Sequence, residues 1–189
     1  MPFQQSSNFQ NNNGNMGEKK RTNFPVGKVY GSDAILNLTV WVSDSAVYTI
    51  FQIKQAIGKD PSTGANAFEQ KAPNELPRVF LNPEYLCALI EAAKSNLPEI
   101  TIAPKAGSKL HITGLNTNQI KITVETDKLG SRTITFDSIP VGSTNIAASW
   151  TNLQKLLAVA YKKALYAKLN PEEFATALGM ENNAEELPI

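Results

Sequence analysis

Cysteine and histidine are almost missing from this chain: Cys87 and His111 are the only ones in 189 residues. A lone cysteine excludes an internal disulfide and points to a reducing compartment. With one His and one Cys, no cluster has metal-ligand spacing. A Ser-His-Asp triad would have to be built on His111, and no nucleophile-elbow glycine pattern supports one. Long apolar runs are missing too. None approaches the ~20 residues of a membrane span, and the N-terminus lacks the charged-then-apolar layout of a secretory signal. A phosphate loop is excluded by residue order. The stretch Gly58–Gly64 holds Lys59 and Ser62-Thr63, but no Gly-Lys-Ser/Thr opens a helix. These absences predict a cytoplasmic protein that is not an enzyme and carries no metal or cofactor.

An excess of one charge is missing as well, since the formal net charge is +1. The charges are nonetheless segregated. Residues 1–31 sum to +3, residues 32–150 to −1, residues 151–178 to +2, and residues 179–189 to −3. A basic arm, a near-neutral body, a basic helix and an acidic end follow one another. The last segment holds Glu181, Glu185 and Glu186 and finishes in Leu187-Pro188-Ile189. It has too little apolar surface to fold alone. An acidic tether with a small apolar tip suits competition with nucleic acid for a basic surface, or docking into a partner's cation-ringed pocket.

What is present is an apolar fraction of 42%, enough for a real core, in a length that suits one domain with tails. Residues 1–25 form a low-complexity arm. Nine of the first twenty-three residues are Asn or Gln, a composition that predicts disorder. Lys19, Lys20 and Arg21 lie at its inner edge. From Val26 the apolar residues recur with period two. Leu36, Leu38, Val40 and Val42 alternate with Ile35, Asn37, Thr39 and Trp41, and a second strand covers Ala46 to Ile57. Weaker extended stretches follow at 66–71 and 76–81. Asn82-Pro83-Glu84 then opens a helix, with Asn as cap and Pro at its first position. Leu86, Ile90, Ala93 and Leu97 are its expected apolar stripe. Four short strands follow at 99–103, 109–113, 118–126 and 131–137. A longer helix from about Ala147 to Leu169 carries a stripe of Leu153, Leu157, Ala160 and Ala164. A short helix is expected at 171–178, and the acidic tail fills 179–189.

The order strands–helix, strands–helix predicts an α+β domain over 26–178. It would be made of two consecutive antiparallel sheet-plus-helix units, each β-β-β-β-α, at 26–97 and 98–169. A helix behind each open sheet covers one face and leaves the other exposed. Such a face can hold a single strand of nucleic acid, because bases stack on rings while cations track phosphates.

This arrangement resembles the Whirly family and the single-stranded-DNA-binding domain of a transcriptional coactivator that shares the half-unit. The most specific local likeness is Arg78-Val79-Phe80-Leu81-Asn82-Pro83-Glu84-Tyr85-Leu86, and the architectural likeness covers roughly 26–169. A separate likeness lies in the tail. Glu185-Glu186-Leu187-Pro188-Ile189 is similar to the acidic, Pro-containing tips of bacterial single-stranded-DNA-binding proteins, with Ile where those end in Phe. Together the resemblances imply a replication or recombination protein, such as one from a phage or mobile element. It would act as a homo-oligomer and recruit repair or replication partners through that tip.

Candidate nucleic-acid contacts follow from side-chain direction and charge. Trp41 lies opposite its strand's apolar face as a stacking platform. Tyr48 and Lys54 share one strand face, Lys59 follows in the loop, and together with Arg78 they form the leading candidate surface. Lys28, Tyr30, Lys71 and Lys121 are further candidates, and Lys19, Lys20 and Arg21 would form a phosphate-contacting arm. The function expected is sequence-independent binding of single-stranded DNA, or of RNA as a near neighbour. The alternative is a structural or assembly protein that binds no nucleic acid.

Overall fold

Three long strands, β1 (Thr22–Tyr30), β2 (Ala34–Ser43) and β3 (Ala46–Lys59), pair antiparallel in sequence order. They belong to a computed structural model that describes residues 22–43, 46–95, 97–114, 119–137 and 144–170. On its other edge β3 pairs with the short β4 (Asn66–Phe68) and with β5 (Arg78–Leu81). Helix α1 (Pro83–Lys94) follows. A second antiparallel sheet is a plain meander of β6 (Glu99–Lys105), β7 (Ser108–Thr113), β8 (Gln119–Thr126) and β9 (Gly130–Asp137). Helix α2 (Thr144–Leu169) ends the described chain. The protein is α+β, built of two consecutive sheet-plus-helix units.

The period-two pattern in β2 gives this register its reason. Leu36, Leu38 and Val40 are fully buried, as are Phe51 and Ile53 opposite on β3 and Val79 and Leu81 on β5. A one-residue slip would put all of them in water. Helix α2 lays its own stripe on the first sheet and on β9, through Leu153, Leu157, Ala160, Ala164 and Ala167, all buried. The alanines let the helix axis come close to the strands. One apolar core runs through both sheets and both helices.

Three expectations are corrected. The first unit has five strands rather than four, because a separate edge strand, β1, precedes the four expected at 35–42, 46–57, 66–71 and 76–81. Strand β1 starts at Thr22, inside the expected arm. Helix α1 stops at Lys94, and Leu97, placed in its apolar stripe, lies beyond the helix and is 47% exposed. Ser95 has turned to an extended conformation and its N–H closes on the Ala92 carbonyl. The α1 stripe is therefore Pro83, Leu86 and Leu89. The expected short helix at 171–178 lies outside the described residues.

Polar clasps tie the units together. The Glu69 carboxylate, just after β4, accepts from the Gln55 N–H at 3.0 Å and from Arg132 Nε of β9 at 3.3 Å. Burial pushes this carboxyl up, but the Gln55 bond, Arg132 and Lys71 outweigh it and hold it below the ordinary glutamate value. The Gln55 side chain donates to the Thr133 carbonyl at 2.6 Å, again from one sheet to the other. Lys168 of α2 pairs with Glu84 of α1. Among the described residues no helix is long and apolar enough to cross a membrane.

Candidate nucleic-acid interface

Directly opposed residues in an antiparallel sheet share a face. The register therefore sorts the first sheet into rows. Trp41 faces Tyr48, Thr39 faces Ile50, Asn37 faces Gln52, and Ile35 faces Lys54. On one side Lys28 and Tyr30 join the Asn37 and Ile35 rows. On the other side Phe80 and Arg78 join the Ile50 and Gln52 rows. All lie on the face opposite the Leu36, Leu38 and Val40 row, where Ile35, Ile50 and Gln52 are buried as well. Lys28, Tyr30, Trp41, Tyr48, Lys54 and Arg78, six of the residues singled out from the sequence, thus share one surface.

The aromatic end of that surface is the most organised. The Trp41 and Tyr48 rings lie 5.7 Å apart, tilted by 31°. Tyr48 meets Phe80 edge to face at 6.1 Å. The Arg78 guanidinium sits 5.4 Å from the centre of the Phe80 ring and the Lys105 ammonium 5.7 Å from it. Both are within cation–π range, so one ring steers two cations. Tyr85 and Asn82, from the start of α1, and Pro104 and Lys105, from the end of β6, complete an open cleft of about 340 Å³. Among the described residues no carboxylate lines it.

Local chemistry builds each wall. The Asn82 side chain caps α1 by accepting the Tyr85 N–H at 2.8 Å, and that bond fixes where Tyr85 projects. Lys105 reaches the cleft because the second sheet packs against β5, and the end of β6 that carries it is braced where the β6–β7 turn adjoins the β8–β9 turn. Gly107 has a φ of +71°, and a Cβ there would stand 2.6 Å from the Asp127 carboxylate. The Asp127 N–H also donates to the Gly107 carbonyl at 3.1 Å. A second depression, of about 390 Å³, shares Arg78, Phe80 and Lys105 and adds both Lys128 and Asp127. A third, of about 350 Å³, runs on past Lys105 to Lys109, where Glu125 and Asp127 bring in negative charge.

The remaining candidates fall elsewhere. Lys54 is on the same face as Tyr48 but six residues along the strand, about 20 Å. Lys59, expected beside Tyr48 and Arg78, ends β3 and lies eleven residues from Tyr48, on the order of 36 Å. Sequence nearness misled here because β3 is 14 residues long and bulged near its end. Lys71 is ion-paired with the buried Glu69 at 3.6 Å. Lys121 is exposed on the outer face of the second sheet, between Thr113 and Thr135. That face carries Thr101, Thr123 and Thr133, with His111 Nδ1 bonded to the Thr101 hydroxyl at 2.6 Å. Among its described residues it has no Phe, Tyr or Trp. The two sheets are thus chemically unequal. Lys19, Lys20 and Arg21, and the tail residues Glu185, Glu186, Leu187, Pro188 and Ile189, lie outside the described residues.

Phe80, Tyr85 and Lys105 were not among the residues singled out as binding contacts. Phe80 and Tyr85 sit inside the strand-to-helix motif around Asn82, and the alternation of Phe80 with Val79 and Leu81 could have placed it beside Arg78. Nothing in the sequence around Lys105 signals that its turn folds back over β5.

No family model matches the chain, and no curated protein matches it. Among solved structures the chain is similar to one described as "Crystal structures of trypanosoma bruciei MRP1/MRP2". That likeness has 13% identity and a TM-score of 0.44, over 80% of this chain and 99% of the other. A likeness of that degree carries no functional argument.

Proposed function

We propose that this protein binds single-stranded nucleic acid, DNA in the first place, along the outer face of its first sheet and without reading sequence as a whole. The observation that supports this is the cluster of Trp41, Tyr48, Phe80 and Tyr85 around an open cleft, with Arg78 and Lys105 held over the same ring. Part-exposed rings offer stacking surface to any base, at about 1–3 kcal/mol per stacked base, and the cations meet the phosphates between them. The paired strands of a duplex keep their bases stacked on each other, so the cleft favours unpaired strands. The protein would act by binding alone, as a homo-oligomer on replication or recombination intermediates in the cytoplasm, with the acidic tip at Glu185–Ile189 recruiting partners.

Fluorescence anisotropy with labelled oligo-dT across a salt series tests this. The affinity falls with a log–log slope of about −0.7 for each phosphate contacted. A flat salt response, or no binding at low salt, contradicts the proposal.

A further inference from the structure

The polar atoms around the aromatic cleft are unusually one-sided. The Asn82 amide oxygen is committed to the Tyr85 N–H at 2.8 Å. That bond settles which way the amide points, since its nitrogen cannot accept. The two Nδ2 hydrogens have no partner among the described residues. Lys105 supplies only donors, and so does the Trp41 indole N–H. The hydroxyls of Tyr48 and Tyr85 serve in either sense. Among the described residues the cleft thus offers fixed donors and no side chain restricted to accepting.

We propose that this cleft takes one base of the bound strand and favours a base with a keto oxygen (thymine, uracil or guanine) over one with an amino group in the same place (cytosine or adenine). This rests on the single-strand reading above and adds a preference at one position of an otherwise indifferent track. The reason is hydrogen-bond polarity. The O4 of thymine and the O6 of guanine accept, where the exocyclic amines of cytosine and adenine donate. A donor set against Nδ2 and Lys105 leaves both sides unpaired on leaving water, and a matched acceptor does not.

Uracil and cytosine share one ring, so stacking is nearly equal and the pair isolates this effect. We expect oligo-dU to bind about three- to tenfold more tightly than oligo-dC of the same length, the worth of roughly one net hydrogen bond. Asn82→Asp keeps the helix cap, because Asp accepts the Tyr85 N–H as well as Asn does, but it replaces the donor pair with an acceptor. Its added charge weakens binding of both oligomers, so the readout is their affinity ratio, which drops to one or below. Asn82→Ser also caps and removes the amide donors, and it takes the ratio toward one. Equal binding of oligo-dU and oligo-dC by the natural protein overturns the proposal. An unchanged ratio in both variants, with melting curves showing them folded, overturns it too. Failure to bind either oligomer removes the single-strand reading and this one with it.

Discussion

Reversing Arg78 and Lys105 together, as Arg78→Glu/Lys105→Glu, lowers oligo-dT affinity by roughly a thousandfold at low salt. A unit charge about 4 Å from a phosphate is worth about 1 kcal/mol even at the dielectric of water, so changing its sign costs about 2 kcal/mol per residue and about 4 for the pair. The salt response should change in step. Two lost phosphate contacts flatten the log–log slope by about 1.4. Both side chains lie over Phe80 at the surface, so the fold tolerates the change. Lys121→Glu provides the contrast. It alters net charge equally per residue but lies on the threonine-rich face of the other sheet, and the affinity should move by less than about threefold at moderate salt. Equal losses from Lys121→Glu would show that only overall charge matters.

Removing the rings should leave a different signature. Trp41→Ala combined with Tyr85→Ala deletes two stacking surfaces, each worth about 1–3 kcal/mol by alanine substitution. We expect affinity to fall by at least about 30-fold, with the salt slope unchanged, because no phosphate contact has gone. Trp41 is half-buried and Tyr85 is 41% exposed, so neither truncation opens a cavity in the core. Isothermal titration at two salt concentrations separates the two classes. Charge variants change the slope, and ring variants change only the intercept.

How far the sequence reached depends on how local each signal is. The alternation in β2 fixed which way Trp41 points, since Leu36, Leu38 and Val40 had to be buried together and the other parity had to face out. The α2 stripe was equally legible, because Leu153, Leu157, Ala160 and Ala164 recur at helical spacing and no competing pattern overlaps them. The cap at Asn82-Pro83 fixed the start of α1, but its end was misplaced. Leu97 keeps the helical period, yet the chain had already left the helix at Ser95, ahead of Pro98. Strand parity also grouped Tyr48 with Lys54 correctly while giving no sense of distance, so Lys59 was drawn into a surface it does not reach. Lys105 was invisible for a physical reason. Its place beside Phe80 comes from the second sheet packing against β5, a contact between separate elements that no periodicity encodes. The difference between the two sheets was hidden as well. Both alternate cleanly, and only the register shows that one outer face collects rings while the other collects threonines.

The account rests on where an unpaired strand touches the protein, and photo-crosslinking reads that location. An oligo-dT carrying 5-iodo-deoxyuridine at successive positions is bound at low salt, irradiated, and its adducts are mapped by mass spectrometry. Adducts on Trp41, Tyr48 or Tyr85 are the predicted result. Adducts confined to the outer face of the second sheet, around His111 and Lys121, would contradict it.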